Sequence, residues 1–86
     1  MITVKEAAES AAQFARSVLD EGRTKDLRLE EVEMEKAPPR WFITLSMPAN
    51  SSSPYAVLTR AYKTFTVDAE TGEVLAMKIR DLAGAA

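Results

Sequence analysis

Residues 60–79 of this chain are RAYKTFTVDAETGEVLAMKI, and this stretch decides the fold. Apolar and polar residues alternate on both sides of its DAETG segment, a pattern typical of two half-buried strands joined by a short turn. Gly72 can adopt a positive φ without the penalty of a Cβ atom, and the side chains of Asp68 and Thr71 can accept hydrogen bonds from turn amides. The stretch therefore predicts a tight antiparallel hairpin.

The same alternation divides the predicted hairpin into two faces. The residues expected on the core side are Phe65, Val67, Leu75, Met77 and Ile79. The residues expected to point away from the core are Tyr62, Thr64, Thr66, Val74, Ala76 and Lys78.

The first part of the chain predicts one helix over residues 3–21. Thr3 and Glu6 have the spacing of a capping box, in which each side chain accepts a hydrogen bond from the other residue's backbone amide. Alanine and valine then recur at three- and four-residue spacing, which gives the helix an apolar stripe. Gly22 follows as the expected C-terminal stop. Because most of the stripe is alanine, we expect this helix to lie close against a sheet.

Two further strands lie between the helix and the hairpin. Apolar and polar residues alternate in residues 27–36, but the apolar residues change from odd positions (Leu27, Leu29) to even positions (Val32, Met34). We therefore expect either a bulge near Glu30–Glu31 or a first half that belongs to the connector. Pro38–Pro39 marks a turn, because proline cannot donate to a sheet ladder. Residues 40–47 form the second strand, in which Trp41 and Phe42 must face opposite sides.

These elements predict an α+β fold: one N-terminal helix packed on an antiparallel meander of three to four strands. Residues 1–82 form a single domain, and residues 83–86 form a frayed tail. Residues 48–59 connect the second and third strands through the Ser- and Pro-rich run PANSSSP. A connection of this length is typical of a functional loop or a tolerated surface insertion.

Composition argues against several functions. The chain has 86 residues with a formal charge of −2, and it contains neither cysteine nor histidine. A basic excess suited to nucleic acid is therefore missing, as are the commonest zinc ligands and the commonest general base. We expect no enzymatic activity, no catalytic residue, no metal and no cofactor. The row Glu31, Glu33 and Glu35 is best interpreted as a solvated face that protects an edge strand from aggregation.

The N-terminus predicts a cytoplasmic protein. Lys5 and Glu6 follow the first four residues, so the apolar core of a secretory signal is missing. The location would be extracytoplasmic if a signal peptide has been removed. No apolar run approaches the roughly 20 residues that span a bilayer, so no membrane partner is expected.

The predicted partner is another protein or a second copy of this chain. Aromatic residues on an uncovered sheet face, beside an exposed loop, have the composition that interfaces favour. We expect the contact surface to combine the outward sheet face with residues 48–55. The candidate partner-binding residues are Trp41, Phe42, Asn50, Tyr55 and Tyr62. Trp41 belongs to this set in case the strand register places it, rather than Phe42, on the outward face.

The alanine-rich capped helix, the RWFI strand at 40–43 and the VDAETGEVL hairpin at 67–75 together resemble the PepSY domain and its relatives. The resemblance covers most of the chain and implies a helix on an antiparallel sheet, similar to half of a cystatin-like fold. It also implies a non-catalytic module that modulates peptidases or binds other proteins. A group of small cytoplasmic bacterial immunity proteins is similar in layout, with a Trp-led second strand and a D-x-x-T-G hairpin.

Three functions are therefore open. In the first, the domain is a regulatory or interaction module for another protein, for example a peptidase. Alternatively, it is an immunity protein that neutralises a toxin enzyme, or a structural domain that self-associates through an outward face containing Phe42, Tyr62, Val74 and Ala76.

Overall fold

The structure is a computed structural model that describes residues 1–19, 21–48 and 60–80. These residues form helix α1 (Val4–Val18), a short helix α2 (Glu21–Thr24) and strands β1 (Arg28–Lys36), β2 (Pro39–Pro48), β3 (Arg60–Asp68) and β4 (Val74–Arg80). The strands pair antiparallel in the order β1-β2-β3-β4, and α1 packs on one face of the sheet. The predicted α+β layout is confirmed.

Helix α1 begins at the predicted capping box. The Thr3 amide donates to Glu6 Oε1 at 2.8 Å, and the Glu6 amide donates to Thr3 Oγ1 at 3.1 Å. The Glu6 carboxylate accepts hydrogen bonds from the Thr3 backbone amide and, with a smaller effect, from the Thr3 side chain, and both lower the pKa of the Glu6 carboxyl. The predicted C-terminus is wrong. The helix ends at Val18 with Leu19 as an extended cap that packs against the core, and Gly22 lies inside α2.

The core lies between α1 and the two central strands. Three alanines of the helix, Ala7, Ala11 and Ala15, are fully buried. They face a layer of strand side chains that comprises Ile43, Leu45 and Met47 from β2 and Phe65 and Val67 from β3. Because the helix is centred on β2 and β3, it leaves apolar side chains of the outer strands incompletely covered. Leu29 on β1 is 53% exposed, and Ile79 on β4 is 79% exposed.

Each outer strand contains a bulge. On β1 the register shifts between Leu29 and Glu31, which confirms the bulge and not the alternative that Leu29 belongs to the connector. Leu29 and Val32 therefore both lie on the helix side. On β4 a second bulge, which the sequence did not predict, places Val74 opposite Val67.

This second bulge corrects the predicted faces of the hairpin. Val74 packs against the core instead of pointing outward, and Leu75 is 47% exposed. Ile79 is on the predicted side of the sheet, but it lies beyond the cover of α1.

The β3–β4 turn has the predicted chemistry. Asp68 Oδ1 accepts from the amides of Glu70 at 2.8 Å and Thr71 at 3.2 Å, and Thr71 Oγ1 accepts from the Glu73 amide at 3.2 Å. Gly72 has a φ of 80°. The turn also anchors the N-terminus, because the Ile2 amide donates to the Ala69 carbonyl at 2.7 Å.

Replacing Gly72 with alanine is expected to lower the free energy of unfolding by about 1 kcal/mol, because an L-residue is strained at this positive φ. Steric clash adds little, since the atom nearest to the added methyl group, Ser10 Oγ, would lie 3.7 Å away. Urea denaturation of both proteins measures the difference. Gly72→Asn serves as control and should lose less, because asparagine tolerates this conformation better. An alanine variant as stable as the parent would contradict the prediction.

Candidate interaction face

The side of the sheet away from α1 is called the open face below, because no element among residues 1–19, 21–48 and 60–80 covers it. Its members follow from the strand register. They are Arg28, Glu31, Glu33 and Glu35 on β1, Arg40, Phe42, Thr44, Ser46 and Pro48 on β2, Arg60, Tyr62, Thr64, Thr66 and Asp68 on β3, and Ala76, Lys78 and Arg80 on β4. The face is therefore rich in threonine, with charged side chains on both outer strands and two aromatic residues on the central strands.

The middle of the open face is a hollow of about 460 Å³. Arg80 on β4 forms an ion pair across it with Glu31 on β1, and its Nη1 also lies 3.4 Å from Thr44 Oγ1. The hydroxyls of Thr44 and Thr64 are 3.1 Å apart beneath. Residues of all four strands line this hollow, so the open face is concave.

One end of the open face carries an arginine beside an aromatic ring. Arg40 Nε donates to Glu35 Oε1 at 3.0 Å across the β1–β2 turn. Its guanidinium carbon lies 5.7 Å from the centroid of the Phe42 ring, within cation–π range. Phe42 is half-buried, so part of its ring remains accessible.

The other end is a hydrogen-bonded network around the fully buried Ser46. The Ser46 hydroxyl donates to Glu30 Oε2 at 2.6 Å and accepts from Arg60 Nε at 2.9 Å. Arg60 Nη1 also donates to Asp26 Oδ2 at 2.9 Å. This bond, supported by the charge of Arg28, lowers the pKa of the Asp26 carboxyl. The network fixes Arg60 at the start of β3 and fills this end of the face.

The structure separates the five candidate partner-binding residues. Phe42 and Tyr62 lie on the open face, both half-buried. Trp41 lies on the helix side, where it packs against the core and its Nε1 donates to the Ile2 carbonyl at 3.3 Å. Asn50 and Tyr55 lie outside the described residues, as does most of the 48–55 segment. Residues 83–86, the predicted tail, also lie outside them.

The glutamate row on β1 is on the open face as expected. Glu31 and Glu35 form ion pairs with Arg80 and Arg40. Glu33 lies opposite Phe42. Within the described residues, acidic side chains form no group of three or more that could hold a metal ion.

Sequence reasoning missed the arginines that shape this face. Arg60 and Arg80 are separated from Asp26 and Glu31 by 34 and 49 positions. Their contacts depend on the register of four strands. The alternation of side chains along β3 and β4 places Arg60 and Arg80 on the open face, but it does not identify their partners.

Comparison of the chain with protein-family models, with curated proteins and with solved structures gives no match. The helices of the described part of the chain are too short or too polar to cross a membrane. The fold and the open face therefore define this protein as a small α+β domain with one helix-covered and one concave, uncovered sheet face.

Proposed function

We propose that this protein is a non-catalytic interaction module of the PepSY-like type that regulates another protein, such as a peptidase, by binding it through the open face. The observation that carries the proposal is the composition of this concave surface. Phe42 and Tyr62 lie on it together with Arg40 and Arg80, and aromatic and arginine side chains are the types enriched at binding hot spots.

The shape of the surface supports the same interpretation. A partner loop or side chain can enter the central hollow, whose floor carries the hydroxyls of Thr44 and Thr64. Arg80 and Glu31 form an ion pair across the hollow in the unbound domain. Because such a pair is worth about 0–1 kcal/mol at an exposed position, a partner can rearrange it at a small cost in free energy.

The hydroxyl of Ser46 is not suited to act as a nucleophile. Ser46 is fully buried, so a substrate cannot reach it, and its oxygen is engaged by Glu30 and Arg60. Its bonds join β2 to the neighbouring strands and support the surface.

The test is affinity capture from extract of the source cells, followed by titration of the purified partner. The bait is the parent protein, the double variant Phe42→Ala/Tyr62→Ala, or the control Glu9→Ala, whose exposed side chain is on the helix. We expect the parent and the control to capture the same protein and the double variant to bind it about thirtyfold more weakly. Thermal melts check that all three baits are folded.

Activity of the captured protein identifies the kind of regulation. A peptidase whose rate changes when the parent domain is added supports the proposal. A toxin enzyme inhibited by the domain would assign the immunity function instead. A partner that binds the double variant as tightly as the parent, but not the Glu9 variant, would show that the helix surface is the contact.

A further inference from the structure

Exposed apolar side chains lie along the outer edge of β4. No strand among residues 1–19, 21–48 and 60–80 pairs with this edge. Leu75, the extra residue of the β4 bulge, is 47% exposed, and Ile79 on the helix side of the strand is 79% exposed. A row of free amides and carbonyls recruits another strand, and natural proteins usually protect such edges with charges, prolines or covering elements.

The two edges of the sheet differ in this protection. On β1, Glu30, Glu31, Glu33 and Glu35 follow one another closely. On β4, residues 74–80 contain no acidic side chain. The charge pattern therefore discourages pairing at β1 and leaves β4 as the accessible edge.

Two-fold pairing of each strand with its own copy makes the contrast concrete. If β1 paired antiparallel with its copy about its midpoint Val32, Glu31 would lie opposite Glu33 of the second copy, and the repulsion would occur twice. If β4 paired about its midpoint Met77, Leu75 would lie opposite Ile79 of the second copy, and this apolar contact would occur twice.

The remaining charges of β4 tolerate the same register. Lys78 would lie opposite Ala76 of the second copy, so no like charges are directly opposed. Arg80, the last residue of the strand, would lie outside the paired segment.

We propose that the protein forms a two-fold symmetric dimer in which β4 pairs antiparallel with β4 of a second copy, centred on Met77. This register pairs Leu75 to Ile79 and leaves out Val74 and Arg80, because the bulge places Val74 on the helix side and Arg80 on the open face. It adds a ladder of backbone hydrogen bonds and covers Leu75 and Ile79, the exposed apolar residues of this edge. Because directly opposed residues of an antiparallel pair share a face, one residue must lie opposite its own copy, and the two-fold axis passes between these two copies.

A two-fold pairing also closes, because it uses the β4 edges of both copies and leaves only β1 edges. Pairing of β4 with β1 of another copy would leave one β4 edge and one β1 edge free, so that further copies could add and form a polymer. In the dimer the two sheets are continuous, and the two open faces lie side by side. The dimer does not depend on the proposed function. Its contacts lie at the edge of the sheet, and the second copy does not cover Phe42 and Tyr62 on the open face.

The first test measures molar mass by light scattering over a range of protein concentrations. We expect the parent chain to dimerise and Ile79→Lys to weaken the dimer by at least about tenfold, since the change removes two apolar contacts and places charge at the interface. The control is Leu29→Lys, an exposed leucine on the opposite edge, which should leave the dimer unchanged. Thermal melts of the dilute proteins check folding. A monomeric parent, a growing polymer, or loss of the dimer in the Leu29 variant alone would each overturn the proposal.

A second test reports the register. The chain contains no native cysteine, so Leu75→Cys and Ile79→Cys each introduce a single thiol at an exposed position. Directly opposed Cα atoms in an antiparallel pair lie about 4.5–5.5 Å apart, within the range that a disulfide bridges. On mild oxidation we expect an equimolar mixture of the two variants to form disulfide-linked dimers containing one copy of each. Cross-linking of either variant alone to the same extent would show that the pairing has another register and would overturn the proposal.

Discussion

Replacing Phe65 with alanine is expected to lower the free energy of unfolding by about 3–5 kcal/mol, the usual range for a buried phenylalanine. Phe65 is fully buried and lies opposite Ile43 in the sheet. Its ring also packs edge-to-face against Phe14 of α1, with centroids 6.3 Å apart and planes at 79°. The substitution therefore opens a cavity where the helix packs on the sheet.

This loss is large for a domain of this size, because the total stability of small proteins is about 5–15 kcal/mol. Urea denaturation followed by circular dichroism measures it. Phe65→Leu is the matched control: it keeps most of the volume and should lose less than about 1.5 kcal/mol. A loss below about 1 kcal/mol for the alanine variant would show that Phe65 is not the central core residue that its burial indicates.

The sequence predicted those parts of the fold whose causes are local. The capping box at Thr3 and Glu6 and the turn bonds of Asp68 each involve residues within three positions of one another. The bulge on β1 was predictable because the apolar parity breaks between Leu29 and Val32. The bulge on β4 left no such signal, because Val74 and Leu75 are both apolar and either could continue the core face.

The end of α1 was mispredicted for a tertiary reason. Leu19 continues the helical apolar spacing, so the sequence extends the helix past it. In the structure Leu19 is an extended cap that packs against the core. Packing at this position outweighs the propensity of the residues that follow.

The candidate site was predictable only in part. Parity showed that Trp41 and Phe42 face opposite sides, but it could not say which one faces the helix. The bond from Trp41 Nε1 to the Ile2 carbonyl joins residues 39 positions apart, and sequence spacing does not encode it. The same limit applies to the contact of Arg80 with Glu31, which joins residues 49 positions apart on the two outer strands. Ile79 was assigned to the correct face, but its exposure depends on the width that α1 covers.

The closeness of α1 to the sheet determines which parts of the helix-side face are covered. Ala7, Ala11 and Ala15 are fully buried against the central strands, so the helix rests on methyl groups. At this close distance a larger side chain has no free volume in the middle of the stripe. On the neighbouring side of the same helix, Ala12 lines a groove of about 680 Å³ between α1 and β1.

Replacing Ala11 with leucine is therefore expected to lower the free energy of unfolding by about 1–3 kcal/mol, because the added atoms push the helix away from the sheet. Ala12→Leu is the matched control, since it introduces the same side chain, with the same helix propensity, one position further along. It should leave stability unchanged or raise it slightly, because the groove beside Leu27 and Leu29 can accept the side chain. Thermal and urea denaturation of both variants provide the measurement. Equal stabilities for the two variants would mean that α1 lies farther from β2 and β3 than its buried alanines indicate, and that the exposure of the outer strands has another cause.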